Sequence, residues 1–333
     1  MDKKLVTALL REENLVLESP VKFRPLAGGV SSDISLVTDG QHSYVVKQAL
    51  PKLQVEDDWF ADIARNNIEQ DFIRFMKKYQ PNAVPELLYS DEEHHLFVME
   101  YLDEDFQNWK QQMLKGEFDH NIARNAAGVL AGIHKKSWQN HDLKQQFDNE
   151  SNFHSLRTEP YLITTGKHHP KLKQLFLEEA ERLKHHREAL VHGDFSPKNI
   201  MVEGDRVVLL DHEVAWFGDP AFDLAFFLNH LYLKMLHHYY KHEEIKDLTE
   251  TVWKVYFNNV NNLNQNLEIR TGRLLQMLML ARVDGKSPVE YLEEGEKAFI
   301  RSFVHEWLPK QLFSQSEINM KWKSALKETQ FED

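Results

Sequence analysis

Three side chains with oxygen donors lie at the edges of two apolar runs in the segment Leu190–Trp216, LVHGDFSPKNIMVEGDRVVLLDHEVAW. Asp194 and Asn199 lie on a loop that leads into the first run, and Asp211 follows the second run. If the two runs form a hairpin, the chain returns to its starting end, so we expect Asp211 beside Asn199. One charged and one neutral oxygen donor suit Mg²⁺, and Asp194 is then left to face an incoming hydroxyl group.

Together these residues supply the parts that phosphoryl transfer needs: metal ligands, and a carboxylate that orients the acceptor and takes its proton. The spacing His-x-Asp-x-x-x-x-Asn, followed by a strand and Asp, is the catalytic pattern of protein kinases with Gly193 in place of Arg. An isolated match also fits a turn residue at Asp194 and a strand-edge cap at Asn199. The hairpin and Asp211 supply the context that favours kinase-like chemistry.

The segments HGDFSPKN and LLDHEVAWFGDPAFDLAFF resemble the aminoglycoside phosphotransferase superfamily of kinase-like small-molecule kinases. The resemblance is specific in these two motifs, and looser similarity extends from about Phe23 to Tyr291. Within the family, the chain is most similar to methylthioribose kinases and choline kinases. The resemblance implies a bilobal protein-kinase-like fold of the α+β class and the use of ATP with Mg²⁺.

Carried over to this sequence, the resemblance implies that Asp194 is the catalytic base and that Asn199 and Asp211 hold Mg²⁺. The sequence has Asp211-His212-Glu213 where protein kinases have Asp-Phe-Gly, and this resembles the Asp-x-Glu of methylthioribose kinases. Alternate residues on an extended segment point the same way, so Glu213 could reach the same metal. The alternative for Glu213 is a solvated carboxylate that follows a strand.

The segment between Asp211 and the next helix is short, because Asp223 already lies in a helix-start pattern. Protein kinases build a platform for polypeptides from a long segment at this place, and little chain is left for one here. We therefore expect a small molecule to provide the acceptor hydroxyl. Asp223 resembles the family's aspartate that ties down the catalytic loop through backbone N–H groups, although a plain helix cap would look identical.

Two regions with different patterns make up the chain. The residues before about Leu102 carry strand patterns, in VKFRPLAGGVSSDISLVTDGQHSYVVKQAL and ELLYSDEEHHLFVMEYL, with a helix-compatible segment from about Trp59 to Tyr79. From Asp103 onward helical periodicities dominate, as in NIARNAAGVLAGIHKKSW and HPKLKQLFLEEAERLKHH. This predicts a β-rich nucleotide-binding lobe at 1–102 and a mainly helical catalytic and substrate-binding lobe at 103–333.

A kinase also needs a strand lysine for the α- and β-phosphates and a helix glutamate that positions this lysine. Lys47 lies at the end of the apolar run YVVKQAL, where core filling is an unusual role for a lysine. Glu69, in ARNNIEQDFIRF, is the best partner on the predicted helix. Glu56 and Asp71 are the other acidic choices.

The rest of the nucleotide site is expected in two loops. The segment LAGGVSSD is the candidate phosphate-covering loop, in which Ser31, Ser32 and backbone N–H groups approach the phosphates, although Gly-Gly also fits a bare hairpin turn. The backbone from Glu100 to Leu102 is the candidate for hydrogen bonds to an adenine edge. Met99 either lines the pocket behind the adenine or belongs to the core.

The acceptor pocket is expected in the helical lobe. Arg282, in LMLARVDGKSPVEYL, occupies the position of an Arg-bearing segment near the substrate of methylthioribose kinases, and it could bind hydroxyl groups or an anionic group bidentately. A surface salt bridge at a helix end is the alternative. Trp216 is a candidate to cover a sugar, with packing as its alternative. The acceptor is then a sugar-like metabolite or an aminoglycoside-like molecule, whereas the acidic run Asp103–Asp105 would fit a cationic amine.

Composition and charge exclude several classes of protein. The net charge of −12 argues against a nucleic-acid binder, which needs a basic surface. No run approaches the roughly 20 apolar residues that span a bilayer. The start, MDKKLVTALLREENL, predicts an amphipathic helix and not a signal peptide, so we expect a cytoplasmic protein. The absence of cysteine excludes disulfides and thiolate metal sites.

Two other functions are compatible with parts of this pattern. The first is a nucleotide-binding pseudokinase that acts as a regulatory or interaction module, but the presence of Lys47, Asp194, Asn199 and Asp211 argues against it. The second is a metal-dependent phosphohydrolase, which needs further metal ligands that the sequence does not offer. The sequence does not indicate an oligomeric state.

Overall fold

The structure is a computed structural model that describes residues 1–16, 20–26, 32–50, 65–260, 263 and 266–329. The chain divides into two compact units. The first comprises Met1–Phe106 with Val208–Val214, and the second comprises Gln107–Val207 with Ala215–Asp333. The domain boundary after Leu102 stays a prediction, and the compact units also group Val208–Val214 with the amino-terminal residues.

A five-stranded antiparallel sheet forms the centre of the first unit, with strand order β1-β2-β3-β5-β4. Its strands confirm both predicted strand regions, and the helix between these regions confirms the end of the helix-compatible segment. The elements are α1 (Lys3–Glu12), β1 (Lys22–Pro25), β2 (Ser32–Thr38), β3 (Ser43–Ala49), α2 (Arg65–Tyr79), β4 (Leu87–Asp91) and β5 (Leu96–Glu100).

The amphipathic helix predicted at the start of the chain is α1. Asp2 caps it by accepting hydrogen bonds from the backbone N–H groups of Lys4 and Leu5, which a helix end leaves without partners. Val6 and Leu10 are one turn apart and are buried against apolar side chains of the sheet. Burial of such side chains stabilises a protein by about 1.5–3 kcal/mol each, so these two residues hold the helix on the sheet.

The second unit is mainly helical. Two small sheets have the strand orders β6-β8-β9 and β7-β10, and the neighbouring strands β8 and β9 confirm the predicted hairpin. The last two residues of β9, Val208 and Leu209, are grouped with the first unit. The elements are β6 (Gln107–Asn108), α3 (Trp109–Leu114), α4 (His120–Ser137), α5 (His141–Gln146), α6 (Glu150–Phe153), a π-helix (His154–Ile163), α7 (Thr164–His168), α8 (Lys173–His185), β7 (Ala189–Val191), β8 (Ile200–Glu203), β9 (Arg206–Leu209), β10 (Trp216–Gly218), α9 (Pro220–His237), α10 (His242–Val260), α11 (Leu267–Asp284), α12 (Glu294–Trp307) and α13 (Gln315–Glu328).

Helix α9 is the core element of the second unit. Its side chains are buried from Pro220 to Leu236, and it packs against α10 and α11. A helix that is apolar on all sides is stable only when neighbouring elements surround it. The polar side chains that α9 carries therefore need partners inside the protein.

The start of α9 is fixed by a buried charge network. Asp219 caps the helix by accepting a hydrogen bond from the N–H of Ala221 at 2.9 Å, and it is fully buried. Arg182 donates to it at 2.6 Å and Arg270 at 3.0 Å. Burial acts to raise the pKa of Asp219, but the two guanidinium groups hold that pKa below its ordinary value. The carboxylate is therefore charged, and it joins three segments of the chain.

Within the residues that the structure describes, no helix combines the length and the apolar character needed to cross a bilayer.

Replacing Asp219 with Ala should destabilise the protein by about 3 kcal/mol, because it removes the helix cap and the shared partner of the buried Arg270 and the partly exposed Arg182. Urea unfolding followed by circular dichroism measures this loss. The control is Asp247→Ala on α10, whose carboxylate side chain is 62% exposed. Its loss should stay below about 1 kcal/mol. Equal losses of unfolding free energy in the two variants would show that the network at Asp219 contributes nothing to stability.

Candidate active site

In the first unit, Lys47 lies on the middle strand of the sheet and bonds to two carboxylates. Strand β3 places it between Ile34 of β2 and Phe97 of β5, and the residue is 3% exposed. Its ammonium group lies 2.7 Å from a carboxylate oxygen of Glu69 and 2.9 Å from Oδ1 of Asp211. The structure therefore brings the predicted lysine, helix glutamate and motif aspartate together.

The charges in this cluster support one another. Burial alone would lower the pKa of Lys47, but Asp211, Glu69 and Glu213 raise it above its ordinary value. Burial raises the pKa of Glu69 to about 7, and Lys47 acts in the opposite direction. The ammonium group is therefore fixed in its charged form.

Asp211 and Glu213 turn their carboxylates to the same place. Oxygen atoms of Glu69, Asp211 and Glu213 lie within 4.8 Å of one another, whereas the ring of His212 stacks on Phe72 with centroids 4.6 Å apart. Asp211 has a φ of 65°, a left-handed conformation that few residues other than glycine adopt. Such strain, of order 1–3 kcal/mol, typically persists at functional sites.

Arg65 is a member of this cluster that the sequence analysis missed. It lies one turn before Glu69 on α2, its side chain is fully buried, and its Nε donates to Glu213 at 3.1 Å. It also donates to the carbonyl oxygen of Leu50. The spacing i, i+4 in ARNNIE puts Arg65 and Glu69 on one helix face, which was the available signal.

In the second unit, Asp194 is held from two sides. The side-chain amide of Asn199 donates to its carboxylate at 2.8 Å and to its backbone oxygen at 3.0 Å. Arg157, on the π-helix, lies 3.1 Å from the same carboxylate and also donates to the backbone oxygen of Gly193. Arg157 was not predicted, because nothing in FHSLRTEPYL marks it out. The Asp194 carboxylate is 15% exposed, so it is oriented and still accessible.

Asp223 holds the backbone just before Asp194. Its carboxylate accepts hydrogen bonds from the N–H groups of His192 at 2.6 Å and Gly193 at 2.8 Å, and it is fully buried. His134 lies 3.3 Å from the same carboxylate. The cap of α9 is Asp219, so the structure excludes the plain-cap interpretation of Asp223. Gly193 has a φ of 77°, which lets the chain turn sharply at this point.

The oxygen donors fit a hard divalent cation. Asp211 and Glu213 offer carboxylate oxygens. The side-chain nitrogen of Asn199 donates to Asp194, so the side-chain oxygen of Asn199 is the possible ligand atom. Glu69 is engaged by Lys47 instead. Asp211 belongs to the first unit and Asn199 to the second, and their sharing of one ion stays a prediction.

The two predicted acceptor residues differ in their surroundings. Arg282 ends α11 and donates to the hydroxyl of Tyr161 at 3.3 Å and to the side chain of Ser287 at 2.8 Å. Trp216 is 1% exposed and stacks on Phe153 with centroids 4.7 Å apart. The position of Trp216 fits the packing interpretation, and its contact with a sugar stays a prediction.

The predicted nucleotide loops are described in part. Ser31 and most of LAGGVSSD lie outside the described residues, and Ser32 begins β2 opposite Ala49. Glu100 ends β5 and bonds through its backbone and its carboxylate to Glu86, and Leu102 follows this strand. Met99 is 9% exposed. Contacts of these residues with a nucleotide stay predictions.

Solved structures of small-molecule kinases share this architecture. The choline kinase from Cryptosporidium parvum Iowa II is 14% identical, with coverage of 98% of this chain and 96% of that chain and a TM-score of 0.53. A spectinomycin phosphotransferase, solved with ADP and spectinomycin, is 12% identical, with coverage of 97% and 99% and a TM-score of 0.53. These likenesses confirm the predicted α+β, protein-kinase-like fold.

A family model described as the phosphotransferase enzyme family matches residues 22–245, and the chain belongs to this family. The match covers the lysine cluster and the Asp194 loop. The methylthioribose kinase of Geobacillus kaustophilus (strain HTA426) is 25% identical over 289 residues, which are 76% of this chain and 71% of that protein. The Bacillus cereus (strain ATCC 10987 / NRS 248) methylthioribose kinase is 28% identical over 60% of this chain and 57% of its own length. The protein is thus a small-molecule phosphotransferase, as the sequence predicted.

Replacing Arg65 with Met should destabilise the protein by about 3 kcal/mol, because Glu213 then lies buried beside two other carboxylates without its guanidinium partner. Adding Glu213→Gln should recover part of this loss, with a coupling energy of about 0.5–3 kcal/mol in the double-mutant cycle. Chemical denaturation of the four proteins measures it. Arg74→Met, which removes an exposed ion pair on the same helix, is the control. Strictly additive losses would contradict the pairing.

Proposed function

We propose that the protein transfers the γ-phosphate of ATP to a hydroxyl group of a small molecule, with Mg²⁺ and with Asp194 as the base. The observation that carries this proposal is the fixed Asp194 carboxylate, bonded to Asn199 and Arg157 on a loop that Asp223 holds in place. Membership of the phosphotransferase family supports it. So does the lysine cluster of the first unit, which has the composition of a phosphate-binding site.

Asp194 orients the acceptor hydroxyl and takes its proton as the phosphoryl group arrives. A general base must lie within hydrogen-bond reach of this proton, and two fixed donors leave one direction of the carboxylate for the substrate. Arg157 keeps a positive charge next to the carboxylate. Because neither partner moves, the reaction gains from positioning more than from covalent chemistry.

In the first unit, Lys47 binds the α- and β-phosphates and Glu69 keeps Lys47 in position. Asp211 and Glu213, together with Asn199, are the proposed Mg²⁺ ligands. When bound, the ion neutralises charge that develops on the phosphate oxygens. Ser31 and Ser32 approach the phosphates, and the backbone from Glu100 to Leu102 binds the adenine edge.

The acceptor is a small molecule and not a polypeptide. The chain runs from Asp211 through the short strand β10 into α9, which begins at Pro220. This stretch offers no long segment for docking a protein substrate. Methylthioribose, the substrate in the names of the relatives, is the first acceptor to test.

Replacing Asp194 with Asn should lower the turnover of ATP with a competent acceptor by at least about 100-fold, because the general base is lost. The affinity for the nucleotide should stay close to that of the wild type. Phosphorus NMR and mass spectrometry measure ADP and the phosphorylated acceptor in reactions with ATP, Mg²⁺, methylthioribose and a metabolite panel. Asp205→Asn, in the exposed turn between β8 and β9, is the control and should retain full activity.

Three results would contradict the proposal in different ways. Near-normal turnover by Asp194→Asn would remove Asp194 from the chemistry. Free phosphate without a phosphorylated organic product would indicate a phosphohydrolase. ATP binding without consumption of ATP in any acceptor pool would indicate a pseudokinase module.

Replacing Glu213 with Gln tests its place in the metal site. We expect the Mg²⁺ concentration needed for half-maximal activity to rise by about 10- to 100-fold, because a charged ligand becomes neutral. Titration of activity with Mg²⁺ measures it, and Glu203→Gln at the exposed end of β8 is the control. An unchanged Mg²⁺ requirement would restrict Glu213 to its ion pair with Arg65.

A further inference from the structure

One face of α9 carries a row of buried side chains that begins near Asp194. Phe226, His230 and Lys234 follow one another at one-turn spacing, so they lie on the same face of the helix. The guanidinium group of Arg157 lies 5.9 Å from the ring centre of Phe226 and pairs with Asp194. The far end of the row, Lys234, is about 12 Å along the helix axis from Phe226.

Lys234 is buried without a counterion. It has no exposed surface, and in the part of the chain that the structure describes it forms no ion pair. Its ammonium group lies 3.5 Å from the carbonyl oxygen of His230 in its own helix and 5.1 Å from the ring centre of Tyr291. Burial, together with the charges of Lys110 and Arg282, lowers the pKa of Lys234 to about 7. A buried ammonium group normally has a carboxylate partner.

Two neighbouring side chains also present donors without acceptors. The hydroxyl of Tyr291 is buried, and among the described residues it has no hydrogen-bond partner. The Nε of Arg282 is likewise buried without a partner in this part of the chain, whereas its Nη1 bonds to Tyr161 and Ser287. Lys234, Arg282 and Tyr291 are called the donor cluster below. Buried donors in native proteins almost always have an acceptor.

The charges around the donor cluster do not provide that acceptor. The charge of Arg282 acts on Lys234, on Tyr291 and on His230. Burial and the neighbouring cations lower the pKa of His230 well below its ordinary value. Glu290 is the carboxylate whose charge favours the protonated form of Lys234, and it already forms an ion pair with Lys110. Positive charges and donors are therefore in excess at this place.

We propose that the donor cluster binds an oxyanion of the acceptor molecule, a carboxylate or a phosphate ester, at the end remote from the hydroxyl that is phosphorylated. This rests on the proposed function, because Asp194 defines the hydroxyl end. The row along α9 leads from the Asp194 end towards the donor cluster, so the oxyanion lies at the opposite end of the acceptor from this hydroxyl. Arg282 and Lys234 supply positive charge, and Tyr291 donates a hydrogen bond to the oxyanion. A neutral group would not give Tyr291 an anionic acceptor.

A cationic amine would meet two positive charges at this end, and a neutral sugar would leave the ammonium group buried and uncompensated. Both fit the donor cluster less well than an anion does.

Four six-carbon compounds that differ at one end test the proposal: sorbitol, gluconate, sorbitol 6-phosphate and 1-amino-1-deoxysorbitol. Their binding is measured by titration calorimetry without nucleotide, so the result does not depend on phosphotransfer. We expect gluconate or sorbitol 6-phosphate to bind at least about tenfold more tightly than sorbitol, and the amine to bind most weakly. The comparison of the two anions distinguishes carboxylate from phosphate.

Two variants assign this preference to the donor cluster. Lys234→Met and Tyr291→Phe should each reduce the affinity for the preferred anion by about tenfold and leave that for sorbitol unchanged. Neither should lower the melting temperature, because both remove a buried donor without removing its acceptor. Lys254→Met, at an exposed position of α10, is the control and should change nothing.

The pH dependence of gluconate binding is an independent readout. Lys234 is charged below a pKa of about 7 and neutral above it, so affinity should fall by about tenfold between pH 6.5 and pH 8.5 in the wild type and not in Lys234→Met. Gluconate keeps its charge across this range. The histidines near Lys234 have lowered pKa values and stay mostly neutral in it. The groups whose charges reach Lys234 are Lys110, Arg282, Glu290, His230, His237 and His238.

Equal binding of sorbitol and the two anions, or no binding of either anion, would overturn the proposal. So would anion binding that Lys234→Met and Tyr291→Phe leave intact. If the anions bind as expected but no compound is phosphorylated with ATP, the anion site stands and the proposed phosphotransfer fails.

Discussion

The buried carboxylate of Asp223 is the constraint on which the catalytic loop depends. It has no access to water, so it must find donors within the protein, and it finds them in two consecutive backbone N–H groups at His192 and Gly193. These bonds fix the loop between β7 and β8, and the left-handed Gly193 turns the chain there. Arg157 then binds both the backbone of this loop and the Asp194 carboxylate. A single buried acid on α9 thus determines where Asp194 lies.

The same requirement for partners explains the first unit. Glu69, Asp211 and Glu213 bring three negative charges within 4.8 Å, which would be strongly unfavourable without cations. Lys47 and Arg65 supply them from a strand and a helix, with bonds of 2.7–3.1 Å. The carboxylates are therefore already ordered, and a divalent ion would meet a site whose geometry is set in advance.

The donor cluster is the counterpart of this arrangement, because in the described part of the chain Lys234 and Arg282 form no ion pair with an acid. Proteins of the same fold include a choline kinase and a spectinomycin phosphotransferase, so the fold does not specify the acceptor. In this chain the donor cluster lies on α9, at Arg282 of α11 and at Tyr291. On the proposals made above, this cluster recognises the acceptor, whereas the Asp194 loop and the Lys47 cluster carry out the transfer.

The sequence by itself determined the reaction class and much of the fold. Alternating patterns predicted the sheet that carries Lys47, and the motif around Asp194 and Asp211 indicated phosphotransfer, because such patterns depend on local periodicity and fixed spacing. Only the tertiary structure brought in Arg65 and Arg157, separated from their partners Glu213 and Asp194 by long stretches of chain. A lone lysine in the apolar run FFLNHLYLKML was visible in the sequence, but it was not visible that none of the described acids pairs with it. Whether a buried charge is neutralised depends on side chains that packing brings from other helices, and no spacing along the chain encodes this.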